Sequence, residues 1–301
     1  MKDRMVAVDV GATNISMALV DKDLNLIKKH STDTVCSLEQ LIGFLKSKLA
    51  TLDPDCKTAV GLALPAFFKK NRKKKIASFT NLNWPNLEVK SFFSELNRNF
   101  FTVNDGDAAA WGSYSTEINL ENRLLTVTLG TGVGGGIVID DNLLLKGGEI
   151  GHLKVDPSGE LCGCGSRGCL ETFIGGKYIA RNAREWFNIE VKNARQLHKK
   201  AIAGNVNATE CWRKIGGVLG YTLSGLVNLF GFKKIIIGGK MSKAYEFYLD
   251  EARKKLKDNL LCPKLQDCSI EISKWKEQLT LVGTACMGFS GKYKERGVKN
   301  G

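Results

Sequence analysis

The segment from Glu149 to Glu171, EIGHLKVDPSGELCGCGSRGCLE, constrains this chain more than any other stretch. His152, Cys162, Cys164 and Cys169 follow one another as H-x9-C-x-C-x4-C, and one imidazole with three thiolates is a full ligand set for a tetrahedral structural zinc. A closed site of that kind contributes folding free energy directly. Gly163, Gly165 and Gly168 lie among the ligands, where tight turns must point three sulfurs at one ion. Glu149 and Glu171 bracket the set, so the stapled loop can present two carboxylates to something bound beside it.

A chain of 301 residues with 43% apolar and 25% charged content is long enough for two ordinary domains or one large α/β unit. Five prolines argue against long linkers. No stretch reaches the roughly eighteen apolar residues of a membrane span, and the N-terminus lacks a signal-peptide pattern. The other six cysteines, Cys36, Cys56, Cys211, Cys262, Cys268 and Cys286, are scattered, and an odd total without a leader fits reduced thiols and a cytoplasmic protein. A net charge of +13 suggests nucleic acid or an anionic substrate. The densest basic run, Lys69 to Lys75, sits between apolar segments and reads as the exposed tip of a hairpin. No aromatic residues interleave with its charges, which favours a solvated loop over a nucleic-acid surface.

Met5 to Val10, Ile15 to Val20 and about Leu24 to Lys29 read as three strands joined by tight turns, an antiparallel meander. Ser37 opens a helix with an apolar stripe at Leu38, Leu41, Ile42, Leu45 and Leu49, and Thr58 to Leu64 is the next strand. A helix near Leu87 to Arg98 and a strand from Phe100 to Val103 then lead to Asn104 and Asp105. At Arg123 the pattern restarts: a strand over Leu124 to Leu129, a seven-residue glycine-rich turn, and a strand over Ile137 to Ile139. This recurrence predicts an internal duplication of topology. The expected division is 1–115, completed by a C-terminal helix near 290–301, and 116–289.

Asp9-Val10-Gly11-Ala12-Thr13-Asn14 places an acid at a strand end, then a glycine, then a hydroxyl. Backbone N–H groups and a hydroxyl there can meet a phosphate while the acid holds a hydrated divalent cation, although a glycine turn between strands is more often only a turn. Gly130-Thr131-Gly132-Val133-Gly134-Gly135-Gly136 contains the letters G-x-G-x-x-G, but a strand follows where a dinucleotide site needs a helix. Five glycines in seven residues suit close backbone approach to an oligophosphate instead. Asp105 begins a helix, where an acid serves either as a cap or as a catalytic base. Gly238-Gly239, after the strand Lys234 to Ile237, suits an adenosine.

Together these residues resemble the ROK family (repressor, open reading frame, kinase) of sugar kinases over essentially the whole chain. The resemblance implies a two-domain α/β fold of the actin-like, ribonuclease H-like ATPase type with a structural zinc loop. It assigns Asn81, Asn104, Asp105, Glu149, His152 and Glu171 to the sugar, with Asp105 as general base. It assigns Asp9, Gly11, Ala12, Thr13, Asn14, Gly130, Thr131, Gly132, Gly134, Gly238 and Gly239 to ATP and Mg2+, and His152, Cys162, Cys164 and Cys169 to Zn2+.

Three positions depart from the family pattern. Ala12 replaces a glycine of the first phosphate turn, Ala66 replaces the glycine after Pro65, and Gly106-Asp107 stands where Ala-Asn is usual. Asp107 is expected either to raise the pKa of Asp105 or to bind solvent. The run Cys162-Gly163-Cys164-Gly165 lacks the second histidine of fructokinase-like members and resembles the glucokinase and N-acetylhexosamine-kinase branch. The first strand begins by about Met5, leaving no room for the helix-turn-helix of regulatory members. The reading is an ATP-dependent hexose kinase acting at O6, glucokinase-like. The alternatives are an N-acetylmannosamine or N-acetylglucosamine kinase, a non-catalytic sugar sensor, or a nucleic-acid binder. Families of this kind are usually homodimeric, and that expectation is carried over.

Overall fold

The computed structural model describes residues 3–55, 58–71, 74–79, 82–118, 122–145 and 147–291. Its contacts divide the chain into two compact units, 1–116 with 280–301, and 117–279.

In the first unit, β1 (Arg4–Val10), β2 (Asn14–Asp21) and β3 (Leu26–Asp33) form the antiparallel meander, with Val10 opposite Ile15 and Asn14 opposite Asp33. Helix α1 (Leu38–Leu52) starts where the Ser37 side chain accepts the Gln40 N–H, while the Gln40 amide oxygen accepts the Cys36 N–H. These two bonds satisfy donors that a helix start otherwise leaves bare. The helix buries Leu38, Leu41, Ile42, Leu45, Leu49 and Leu52, a stripe at helical spacing. Strand β4 (Ala59–Leu64) then runs parallel to β1. β5 (Ala66–Asn71) and β6 (Lys74–Phe79) form the basic hairpin, to which β7 (Leu87–Glu88) adds a third strand; Arg72 and Lys73 of the basic run lie outside the described residues. β8 (Phe100–Asn104) pairs parallel with β4, giving the order β3-β2-β1-β4-β8.

The helix expected over 87–98 is shorter. The Glu88 carboxylate caps it by accepting the Lys90 and Ser91 N–H groups, so α2 spans Val89–Phe93, followed by one turn of 3-10 helix, Ser94–Leu96. Asn97 then adopts φ 51, a left-handed conformation that ends helical hydrogen bonding. Arg98 instead turns into the core to pair with Asp53. Helix α3 (Asp105–Glu117) follows β8 without a linker.

In the second unit, β9 (Arg123–Leu129), β10 (Val133–Ile139) and β11 (Asn142–Leu143) are antiparallel, and β12 (Lys234–Gly238) and β13 (Ser269–Ile272) extend the sheet in parallel beside β9. The order β11-β10-β9-β12-β13 repeats that of the first sheet. Short α4 (Leu170–Ile174), α5 (Ile179–Phe187), α6 (Ala194–Ile202), α7 (Val206–Phe230) and α8 (Tyr245–Asp258) complete this unit. Gly216 and Gly220 let α7 approach the α8 backbone, since a Cβ there would lie 2.2 Å and 2.1 Å from the carbonyls of Tyr248 and Ala252.

Helix α9 (Leu279–Ser290) returns to the first unit. Gly283 packs so closely on α3 that a Cβ would sit 1.8 Å from the Ala108 carbonyl, and Gly288 lies against Met5 and Phe101. The returning helix therefore precedes the 290–301 segment expected, of which 292–301 lie outside the described residues. Among the described residues, no helix is long and apolar enough to cross a membrane.

Candidate active site

Parallel strands β4 and β8 end side by side, with Leu64 opposite Asn104, and α3 begins at the next residue. Asn104 acts as the helix cap: its Oδ1 accepts the Asp107 N–H at 3.1 Å, and its amide donates to the Ala66 carbonyl at 3.4 Å. That leaves Asp105 free of capping duty. Its Oδ1 accepts only the adjacent Gly106 N–H among the bonds resolved, at 3.0 Å. Burial raises the Asp105 pKa to about 6, against the pull of the Gly106 and Asp105 N–H groups. Burial, and not the charge of Asp107, sets this shift. Asp107 is itself only 7% exposed, so it does not sit in bulk solvent as expected either.

Asp9, Gly11, Ala12, Thr13 and Asn14 form the tight turn between β1 and β2, closed by the Gly11 N–H donating to the Asn14 carbonyl at 2.9 Å. The turn is held from one side by Thr34, whose hydroxyl donates to the Gly11 carbonyl at 2.6 Å and whose N–H donates to the Thr13 carbonyl at 2.9 Å. Asn14 is anchored to Asp33 at 3.2 Å. Half-buried Asp9 lies at the strand end beside this turn.

The second glycine turn is a correction to the sequence reading. Its seven residues reduce to three, Gly130, Thr131 and Gly132, because Gly134, Gly135 and Gly136 belong to β10 and pair with Thr128, Val127 and Thr126. Of these, Gly135 serves packing: a Cβ there would lie 2.6 Å from the Ile150 side chain and 2.9 Å from the Gly148 carbonyl. Gly132 faces Glu171, whose Oε2 would be 2.3 Å from an added Cβ and accepts the Val133 N–H at 2.9 Å. Glu171, on α4 and 4% exposed, thus ties the turn to the segment that follows the cysteines. The dipeptide Gly175-Gly176, which sequence reasoning passed over, docks on the same turn. Gly176 donates to the Gly130 carbonyl at 2.9 Å and Lys177 to the Thr131 carbonyl at 2.8 Å. Adjacent glycines directly after a short helix were the available signal.

His152, Cys162, Cys164 and Cys169 come together, with one ligand atom of each within 4.8 Å of every other. The Cys164 and Cys169 sulfurs are 3.6 Å apart, and His152 Nδ1 is 3.7 Å from the Cys162 sulfur. Tetrahedral zinc with bonds of about 2.3 Å to sulfur separates its ligands by roughly 3.8 Å, so the donor set fits that ion in both chemistry and spacing. With Nδ1 turned to the cysteines, His152 Nε2 points away from them. Glu149 precedes the 3-10 turn Ile150–His152 and is exposed. Gly238 ends β12, and Gly239, at φ 88, packs on the Leu129 carbonyl while donating to the Lys276 carbonyl at 3.0 Å. Asn81 lies outside the described residues.

The sequence signature of the ROK family matches residues 5–288. The chain belongs to the ROK family. Among its relatives, the glucokinase of Streptomyces coelicolor is 29% identical over 278 residues, covering 84% of this chain and 86% of that one. The N-acetylmannosamine kinase of Citrobacter koseri is 27% identical over 297 residues, covering 95% and 99%. A solved ROK family glucokinase from Streptomyces griseus, in complex with glucose and AMPPNP, superposes on this ROK chain with a TM-score of 0.83 at 26% identity, covering 94% and 98%.

Proposed function

We propose that this ROK chain is a sugar kinase that transfers the γ-phosphoryl group of ATP to the 6-hydroxyl of a hexose, with glucose as the preferred acceptor. The observation that carries the reading is Asp105, a half-buried carboxylate whose helix is capped by Asn104 and whose pKa desolvation lifts to about 6. A base of that strength is ionised at neutral pH yet basic enough to take a hydroxyl proton as the oxygen attacks phosphorus in line. The reading assigns the Gly11 to Asn14 turn and the Gly130 to Gly132 turn to the phosphates, and Gly238 and Gly239 to the adenosine. Mg2+ beside Asp9 would supply charge neutralisation at the phosphates. Glu149, His152 and Glu171 accept hydrogen bonds from sugar hydroxyls, His152 through Nε2 while Nδ1 serves the zinc. The repeated sheet order supports an actin-like, ribonuclease H-like pair of domains. Dependence on ATP fits a cytoplasmic enzyme, and a homodimer is the expected assembly.

Asp105→Asn should lose about 100-fold or more in turnover while still binding sugar. Near-normal turnover would remove the base assignment. A panel of hexoses and N-acetylhexosamines with ATP and Mg2+ decides the acceptor. The second reading, N-acetylmannosamine as acceptor, is favoured by the relative from Citrobacter koseri. Absence of ADP release with every sugar would leave only a sensor.

A further inference from the structure

The sulfur cluster carries a charge problem. Zinc with three thiolates and a neutral imidazole bears one net negative charge, and such a centre is stabilised when donors outside the ligand shell take up the charge on sulfur. Each thiol here has a partner of its own. The Tyr178 hydroxyl meets Cys162, and Ser166 meets Cys164 through its N–H and its side chain. Lys154 Nζ donates to the Cys169 sulfur at 3.0 Å. Of the three partners, Lys154 alone is cationic.

The backbone delivers this contact. Lys154 and Cys169 face each other in an isolated antiparallel bridge. The flanking bonds run from the Val155 N–H to the Gly168 carbonyl and from the Leu170 N–H to the Leu153 carbonyl, each 2.8 Å. That pattern makes Lys154 and Cys169 a non-hydrogen-bonded pair, the register in which opposed side chains lie closest. Lys154 is exposed, so it contributes little to the core, and its stem reaches back over the bridge to a buried sulfur. Glu149, three residues before His152, and Glu171, two after Cys169, add further negative charge along the same segment.

We infer that Lys154 is a positioning residue for the metal, a cation that neutralises the zinc-bound Cys169 thiolate and so sets how tightly and how durably the loop holds zinc. This rests on the zinc reading of the four ligands. Charge loss at the lysine leaves the excess charge on sulfur, which favours proton or chelator attack on the zinc–sulfur bond.

The test uses the full chain purified with its metal. Zinc per chain is measured first, and the zinc dissociation constant and release rate are then read by competition with a chromophoric chelator at fixed pH. Lys154→Met, which keeps the stem and removes the charge, should weaken zinc about 10-fold to 100-fold and speed its release, and Lys154→Arg should recover most of the loss. Lys177→Met removes a neighbouring cation whose Nζ lies over the Tyr178 ring at 5.6 Å, and it should change affinity less than about threefold. Wild-type protein without zinc would overturn the metal reading itself. Wild-type protein with zinc, and a Lys154→Met variant equal to it in affinity and release, would overturn the role of Lys154 alone. Equal losses at Lys154 and Lys177 would reduce the effect to general charge and also reject it.

Discussion

Two glycines in the cysteine-rich loop have left-handed backbones, yet the structure predicts very different outcomes for replacing them. Gly165 has φ 85 with nothing within 4 Å of an added Cβ. Gly165→Ala should therefore cost only the left-handed penalty, about 1–2 kcal/mol. Gly168 has φ 64, and its Cβ would fall 1.5 Å from the Asp156 carbonyl oxygen and 2.5 Å from the carbonyl carbon. No rotamer change relieves a clash with backbone, so the Asp156 peptide must move away. That movement sacrifices the bonds that the Gly168 carbonyl accepts from Val155 and Asp156, at 2.8 and 3.4 Å. Adding a bond or two at about 1 kcal/mol each and overpacking of about 1–3 kcal/mol brings the total to roughly 3–7 kcal/mol. For a unit of this size, about 2–4 °C of melting temperature follows each kcal/mol, so Gly168→Ala should melt about 10 °C or more below wild type and Gly165→Ala a few degrees below. Because Cys169 is the next residue, Gly168→Ala should also emerge with well under one zinc per chain, whereas Gly165→Ala keeps its metal. Calorimetry and metal analysis on the two proteins decide the matter. Equal melting temperatures with zinc retained in both would refute the backbone contact as the reason for glycine at 168.

Asp105 makes a pH prediction with a definite sign. Its folded pKa lies above the ordinary value, so kcat/KM should fall on the acid side through about pH 6 as the base becomes protonated. The same shift means that the ionised carboxylate destabilises the folded state as pH rises from about 4 to 6, so Asp105→Asn should melt higher than wild type at pH 7.5, and the gap should vanish near pH 4. Thermal melts across pH would reveal the opposite order if the assignment is wrong. Arg98 and Asp53 form a buried pair, in which the Thr58 N–H and hydroxyl and the Arg98 guanidinium overcome burial to hold Asp53 below its usual pKa. Arg98→Met should cost about 3–5 kcal/mol in denaturant unfolding at neutral pH, a loss that shrinks as the pH falls through the depressed pKa of Asp53. Stripping zinc with a chelator should lower the melting temperature and sugar affinity together, and a metal-free protein with unchanged sugar affinity by calorimetry would separate the two.

The local constraints on this chain were legible in its residues. The ligand order from His152 to Cys169, the capped stripe of α1, the meander at the start of each half and the strand-to-helix step at Asn104 and Asp105 all depend on neighbours within a few residues, where spacing and side-chain type carry the information. Features that depend on distant partners emerged only from the folded chain. Spacing alone did not indicate that Glu171 would close over Gly132 and bind the Val133 N–H from 38 residues away. Nor did it show that Gly134 to Gly136 continue a strand, because a glycine run signals close approach without saying whether the neighbour is a phosphate or the protein's own chain. The return of α9 onto α3 and the facing of Lys154 and Cys169 are likewise products of packing and register. Helix caps and metal-ligand spacing act along the chain, whereas packing and strand register act across it, and that physical difference set the boundary between the two.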